Sequence, residues 1–154
     1  MVKPLHRLRY FFVFILILGL VCYLLSTPRT GRLFYPLRYR AEIGAAAMEQ
    51  GLDPLLIAAV IQTESNFREK AISSEGARGL MQLLPSTAEW IAAQNGESDF
   101  HPDKLFEPCY NITAGSCYLA GLLRQFDGDT VIALAAYNGG RGRVQRWLEE
   151  GVWS

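Results

Sequence analysis

DPLLIAAVIQTESN (53–66) is the stretch on which the fold turns. Asp53 offers a side-chain acceptor for the first free amides of a helix, and Pro54 fills a first-turn position whose N–H has no helical partner. The run from Leu55 to Asn66 then reads as one apolar helix. Its exception is Glu64, four residues after Val60, three after Ile61 and seven after Ile57. That spacing puts a carboxyl group on the face the apolar residues bury. It also lies in the last turn, where the negative end of the helix dipole opposes an anion. Burial and dipole both favour the neutral acid, so a raised pKa is expected. A carboxylic acid still protonated near neutral pH is what cleavage of a glycosidic bond requires at the leaving oxygen.

Beyond this helix, ISSEGARGLMQLLP (72–85) is rich in serine and glycine and runs directly into another helix. Loops of this composition let backbone approach a ligand closely. Gln82 offers an amide for sugar hydroxyls or acetamido groups, and Met81 is either a groove wall or core packing. Ser86 and Glu89 have the spacing of a capping box for a helix reaching Asn95, with Gly96 after it. Residues 97–109 hold two prolines and read as an irregular connection. Ile112, Gly115, Leu119, Leu122, Leu123 and Phe126 then recur at helical spacing. Asp127-Gly128-Asp129 turns the chain into TVIALAAYN, which ends in Tyr137, Asn138 and two glycines. Val144, Trp147 and Leu148 suggest a short last helix. Upstream, Pro36 to Gln50 reads as a helix closed by Gly51. No period-two alternation is long enough to demand a sheet, so the body is expected to be mainly α.

The N-terminal fifth is different. Residues 1–40 carry seven basic side chains and no acidic one, whereas residues 41–154 carry 8 basic and 15 acidic, a net of −7. An acidic body with no basic stripe argues against nucleic-acid binding. Between Arg9 and Arg29 lie 19 uncharged positions, including the apolar run YFFVFILILGLVCYLL (10–25). As a helix, the 16 residues of that run span roughly 24 Å, a little under the ~30 Å hydrocarbon core. Snorkelling arginines and the boundary tyrosines Tyr10 and Tyr23 close the difference. A cleaved signal peptide would begin the same way, but no small-x-small site follows Leu25, which favours a retained signal anchor. The expected organisation is a tail at 1–9, a transmembrane anchor at 10–28, a linker at 29–37 and one domain at 38–154. Basic residues flank the segment on both sides, so charge leaves its orientation open.

Cys22 falls in the apolar segment. Cys109 and Cys117 are eight apart in a helical stretch, about 12 Å between Cα atoms and too far for a disulfide. With two histidines and no ligand spacing, neither a metal site nor a cofactor is expected. The sequon at Asn111 is read as structural.

Taken together, ES (64–65), GARGLMQLLPSTA (76–88), NI…G…YL…LL (111–123) and AAYNGG…V…W (135–147) resemble the SLT-type lytic transglycosylases, lysozyme-like enzymes of bacterial peptidoglycan. The order and gaps of the four blocks fit over about residues 38–148. The resemblance implies a lysozyme-like helical domain acting on peptidoglycan glycan strands, with Glu64 as the single catalytic acid and base. Ser73, Met81, Gln82, Tyr137 and Asn138 would line the substrate cleft, with Tyr137 hydrogen-bonded to the acid. A peptidoglycan substrate would place the domain outside the cytoplasmic membrane. Glu69 and Glu75 sit in a polar loop with no sign of burial, so no second carboxylate stands ready as nucleophile.

Members of the family usually continue through a proline-containing turn and a further helix packed on the cleft. This sequence ends at EEGVWS (149–154), so a C-terminally short domain is expected. Three readings follow: a lytic transglycosylase, a muramidase that uses water on the same bond, and a silent glycan-binding envelope protein.

Overall fold

A computed structural model describes residues 38–152 together with Tyr23. The expected tail, anchor and linker, Tyr23 apart, lie outside the described residues. Among the described residues no helix is long and apolar enough to cross a membrane.

Six α-helices and one 3₁₀ helix make up the body, which from Tyr39 onward is one compact unit. Helix α1 (Arg40–Gln50) buries Ile43, Ala46 and Ala47 and is closed by Gly51 at φ 67°. The sequence suggested a start at Pro36; the helix instead begins at Arg40, because Tyr39 adopts a left-handed backbone (φ 62°) from which a right-handed helix cannot extend upstream. The Tyr39 hydroxyl donates to Glu69 Oε2 at 3.0 Å. Helix α2 (Pro54–Ser65) starts as expected: Asp53 Oδ1 accepts from the Leu55 amide at 2.8 Å, and Pro54 occupies the first turn.

Helix α3 (Pro85–Gln94) corrects one expectation. Its N-cap is Leu84, which makes no side-chain cap bond, and Pro85 opens the first turn. Ser86 therefore lies inside the helix, two residues past the N-cap, and cannot form the capping box with Glu89. The stretch 97–109 is also more ordered than its prolines suggested. Pro102–Phe106 forms a 3₁₀ helix, with His101 accepting from the Asp103 amide. Pro108 then starts α4, since a proline at the first helical position costs no hydrogen bond.

Helix α4 (Pro108–Gln125) is the axis of the fold and packs against α1, α3 and the 3₁₀ helix as well as α5. Its buried face mixes Ile112, Leu119 and Leu122 with Ala114, Gly115, Ser116 and Ala120, small residues that let neighbours come close. Cys109 and Cys117 sit on this helix as free thiols. Helix α5 (Thr130–Gly139) is capped by Asp129, which accepts from the amides of Val131 and Ile132 at 2.9 and 3.0 Å. Helix α6 (Arg141–Glu149) buries Val144 and closes a cluster with Leu122, Phe126, Ala133 and Ala136. Among the described residues β-structure is limited to two isolated antiparallel bridges, Ile72 with Arg78 and Arg78 with Leu83.

Candidate active site

The end of α2 presents the carboxyl group. Ile57 and Ile61 are completely buried, and Glu64, on the same face one turn further on, is half-buried where that face meets a cleft. Burial raises its pKa above 4.5. Ser65 turns inward: its hydroxyl donates to the Ile61 carbonyl at 3.1 Å, and the residue is buried, out of reach of a substrate. Directly after the helix, Asn66 (φ 51°) and Phe67 (φ 58°) are both left-handed, a costly pairing for non-glycine residues that turns the chain sharply out of α2.

The loop that follows forms the opposite wall. It is tied across itself by Ser73 N to Ala77 O (2.9 Å), Gly79 N to Ala71 O (2.9 Å) and reciprocal bonds between Arg78 and Leu83. Asn111 of α4 holds it from behind. This fully buried side chain accepts from the Met81 amide at 2.7 Å and donates to the carbonyls of Arg78 (3.0 Å) and Leu105 (2.8 Å). Gly79 (φ 79°) has no room for a Cβ, which would strike the Leu105 carbonyl and the Asn111 amide. The sequon asparagine is thus structural, and it locks the GLMQ segment.

The resulting cleft has a volume of about 370 Å³ and is lined by Glu64, Ser73, Glu75, Ala77, Gln82, Leu84, Tyr137 and Asn138. Four of the five residues expected to line it are there: Ser73, Gln82, Tyr137 and Asn138. Met81 is not. It is completely buried, packed against Gly115 and 4.0 Å from the Ser116 hydroxyl, because the tight turn with Gln82 left-handed (φ 48°) throws the two side chains to opposite sides. Both donors of Gln82 are spent on the carbonyls of Ala71 (3.2 Å) and Gly79 (2.8 Å). Its amide oxygen is left to accept from a ligand. Ser73 Oγ accepts from the amides of Glu75 (3.2 Å) and Ala77 (3.1 Å), which leaves its proton to donate.

Tyr137 departs from the expected pairing with the acid. Its hydroxyl donates to the Met81 carbonyl at 2.7 Å. Burial, with the Glu64 charge and Tyr118 adding, holds its pKa well above 10.0. The phenol therefore keeps its proton, and that proton is committed to Met81, not to Glu64. The sequence also gave no hint that Glu75 faces the cleft. This exposed carboxylate takes a hydrogen bond from Ser74 Oγ at 2.6 Å, and that bond, with its own backbone and Ser73, lowers its pKa below 4.5. One carboxyl is pushed toward neutrality and the other toward charge.

Fold and site together define a lysozyme-like helical domain with one half-buried acid over a polar cleft. The family model for the Transglycosylase SLT domain matches residues 42–153. The chain belongs to that family. It is 36% identical over 114 residues to a putative soluble lytic murein transglycosylase of Haemophilus influenzae, covering 73% of this chain and 19% of the relative. It is 39% identical over 108 residues to the transglycosylase of Enterobacteria phage PRD1, covering 70% and 37% respectively. The lytic transglycosylase Slt of Pseudomonas aeruginosa, solved as an inactive mutant, superposes with a TM-score of 0.71 at 38% identity, over 76% of this chain and 19% of that one. The 70-kDa soluble lytic transglycosylase of Escherichia coli gives 0.70 at 32%, over 75% and 19%. The chain thus spans about a fifth of the Haemophilus protein and under two fifths of the phage protein.

Proposed function

We propose that this protein is a peptidoglycan lytic transglycosylase that cleaves the β-1,4 bond between MurNAc and GlcNAc. The observation that carries this reading is Glu64, a half-buried carboxyl with a raised pKa on a cleft of about 370 Å³ lined by polar side chains. As an acid it gives its proton to the glycosidic oxygen while the bond to MurNAc C1 breaks, and GlcNAc leaves as an alcohol. As the resulting carboxylate it takes the proton of the MurNAc 6-hydroxyl while that oxygen attacks C1. The product is a 1,6-anhydro ring, no water is consumed, and Glu64 ends protonated. The free oxygen of Gln82 suits an acetamido N–H, and the free protons of Ser73 and Asn138 suit glycan oxygens. The relatives named as murein transglycosylases support the substrate class.

A hydrolytic alternative draws on Glu75, whose charged carboxylate on the same cleft is placed to orient a water. Mass spectrometry of fragments released from intact sacculi separates the two. Anhydro-MurNAc ends support the transglycosylase, and reducing MurNAc ends support the hydrolase. We further propose that residues 10–28 anchor the chain in the cytoplasmic membrane with the domain outside. The uncharged run between Arg9 and Arg29 supports this, and an N-terminal peptide recovered intact from membranes is the expected result.

A further inference from the structure

A second cavity, of about 100 Å³, lies between α3, α4 and the start of α6. Two arginines line it, Arg124 and Arg141, with no acidic side chain among the lining residues. Neither arginine has an ion-pair or hydrogen-bond partner among the described residues. Both are exposed, so their donors are open to a ligand from solvent. The guanidinium carbon of Arg141 lies over the half-exposed ring of Trp90, 4.8 Å from its centre. A guanidinium held over an aromatic ring keeps N–H donors available for a carboxylate. The amides of Gln94 and Gln125 complete a polar rim. The cavity is much smaller than the Glu64 cleft, about 100 against 370 Å³, and suits a small group such as a carboxylate. Tyr118, on the wall of this cavity, has its ring centre 5.5 Å from that of Tyr137 on the wall of the Glu64 cleft. The two cavities therefore back onto one another across a pair of rings.

We propose that the Trp90–Arg141 cavity is an accessory site for a peptide carboxylate carried by the glycan strand bound in the cleft. The peptide that substitutes MurNAc is the source to which the inference commits, and in this it rests on the function proposed above. The ligand would engage the in-plane N–H groups of Arg141 and Arg124 while its aliphatic part lies against Trp90.

The test uses the full chain and two substrates, peptide-bearing glycan strands and strands stripped of peptide. The expected result is a KM about tenfold lower on the peptide-bearing strands, the effect of one charge-assisted hydrogen bond. Arg141→Ala should remove that difference and leave kcat on stripped strands unchanged, since Arg141 lies outside the Glu64 cleft. Equal KM values for the wild type, or a preference that survives in Arg141→Ala, overturn the site. A binding arm separates this failure from failure of the proposed function. Anisotropy of a dye-labelled muramyl peptide should show binding that weakens about tenfold on amidation of the peptide carboxyls, and equally in Arg141→Ala. If neither strand is cleaved but that binding is seen, the function is wrong and the carboxylate site stands. Binding indifferent to amidation or to Arg141 overturns the site even in an active enzyme.

Discussion

Glu64 sits on an otherwise apolar helix face, and how much water it keeps sets both its chemistry and its cost to the fold. Its folded pKa lies above 4.5, so the folded state holds this proton more tightly than the unfolded chain. The sign follows. Stability from this group is complete at pH below 4.5 and is lost as pH rises through the raised folded value. Glu64→Gln removes the titration, so its urea midpoint should gain on that of the wild type from acid to neutral pH and then level off. Catalysis runs in the same direction, with the rate declining as pH climbs past the pKa of the acid. Tyr137→Phe tests the hydroxyl at the same scale. It deletes the bond to the Met81 carbonyl, so a stability loss of about 1 kcal/mol by chemical denaturation should accompany a lower rate. An unchanged rate with the full stability loss would make Tyr137 a structural clamp alone. The position of Glu64 was readable from its spacing to Ile57, Val60 and Ile61. That of the Tyr137 hydroxyl was not, because its partner is a backbone carbonyl 56 residues away in sequence.

Elements were legible where the signal was local. Asp53-Pro54 and Asp127-Gly128-Asp129 are helix starts that depend on a few adjacent residues, and both caps form. Asp129→Ala should cost about 1 kcal/mol, since its carboxylate satisfies two free amides. Ser86→Ala, by contrast, should leave the urea midpoint within error, because α3 starts at Pro85 and the serine caps nothing. The spacing of Ser86 and Glu89 misled because a first-turn proline one residue earlier had already opened the helix. The loop from 66 to 84 was legible only as a place where backbone approaches a ligand. Its shape depends on Asn111, far along the chain, and on left-handed turns at Asn66, Phe67 and Gln82 that ordinary propensities disfavour. This is why Met81 was assigned to the cleft and Glu75 was not. Asn111→Ala should cost about 3 kcal/mol, the loss of three hydrogen bonds at a fully buried site, and should depress activity beyond what lower stability explains.

At the scale of the whole molecule, the described helices assemble two walls around one acid. Helix α2 carries Glu64, the Asn111-locked loop carries Ser73, Glu75 and Gln82, and the end of α5 adds Tyr137 and Asn138. Central helix α4 reaches this site through Asn111, packs against α5 and reaches the second cavity through Tyr118. Its small residues are part of the device: a Cβ at Gly115 would lie 2.5 Å from Met81 Sδ and push the loop from behind. The strong segregation of charge and the four sequence blocks made the class of domain legible. The second carboxylate and the arginine cavity became visible only when distant segments were brought together. The most direct test of the central claim is release of soluble fragments from intact sacculi by the full chain and by Glu64→Gln, each checked for folding by circular dichroism. The wild type should release fragments and the variant should fall by about 100-fold or more, the scale of a lost general acid. A folded Glu64→Gln protein that releases fragments at the wild-type rate would contradict the account.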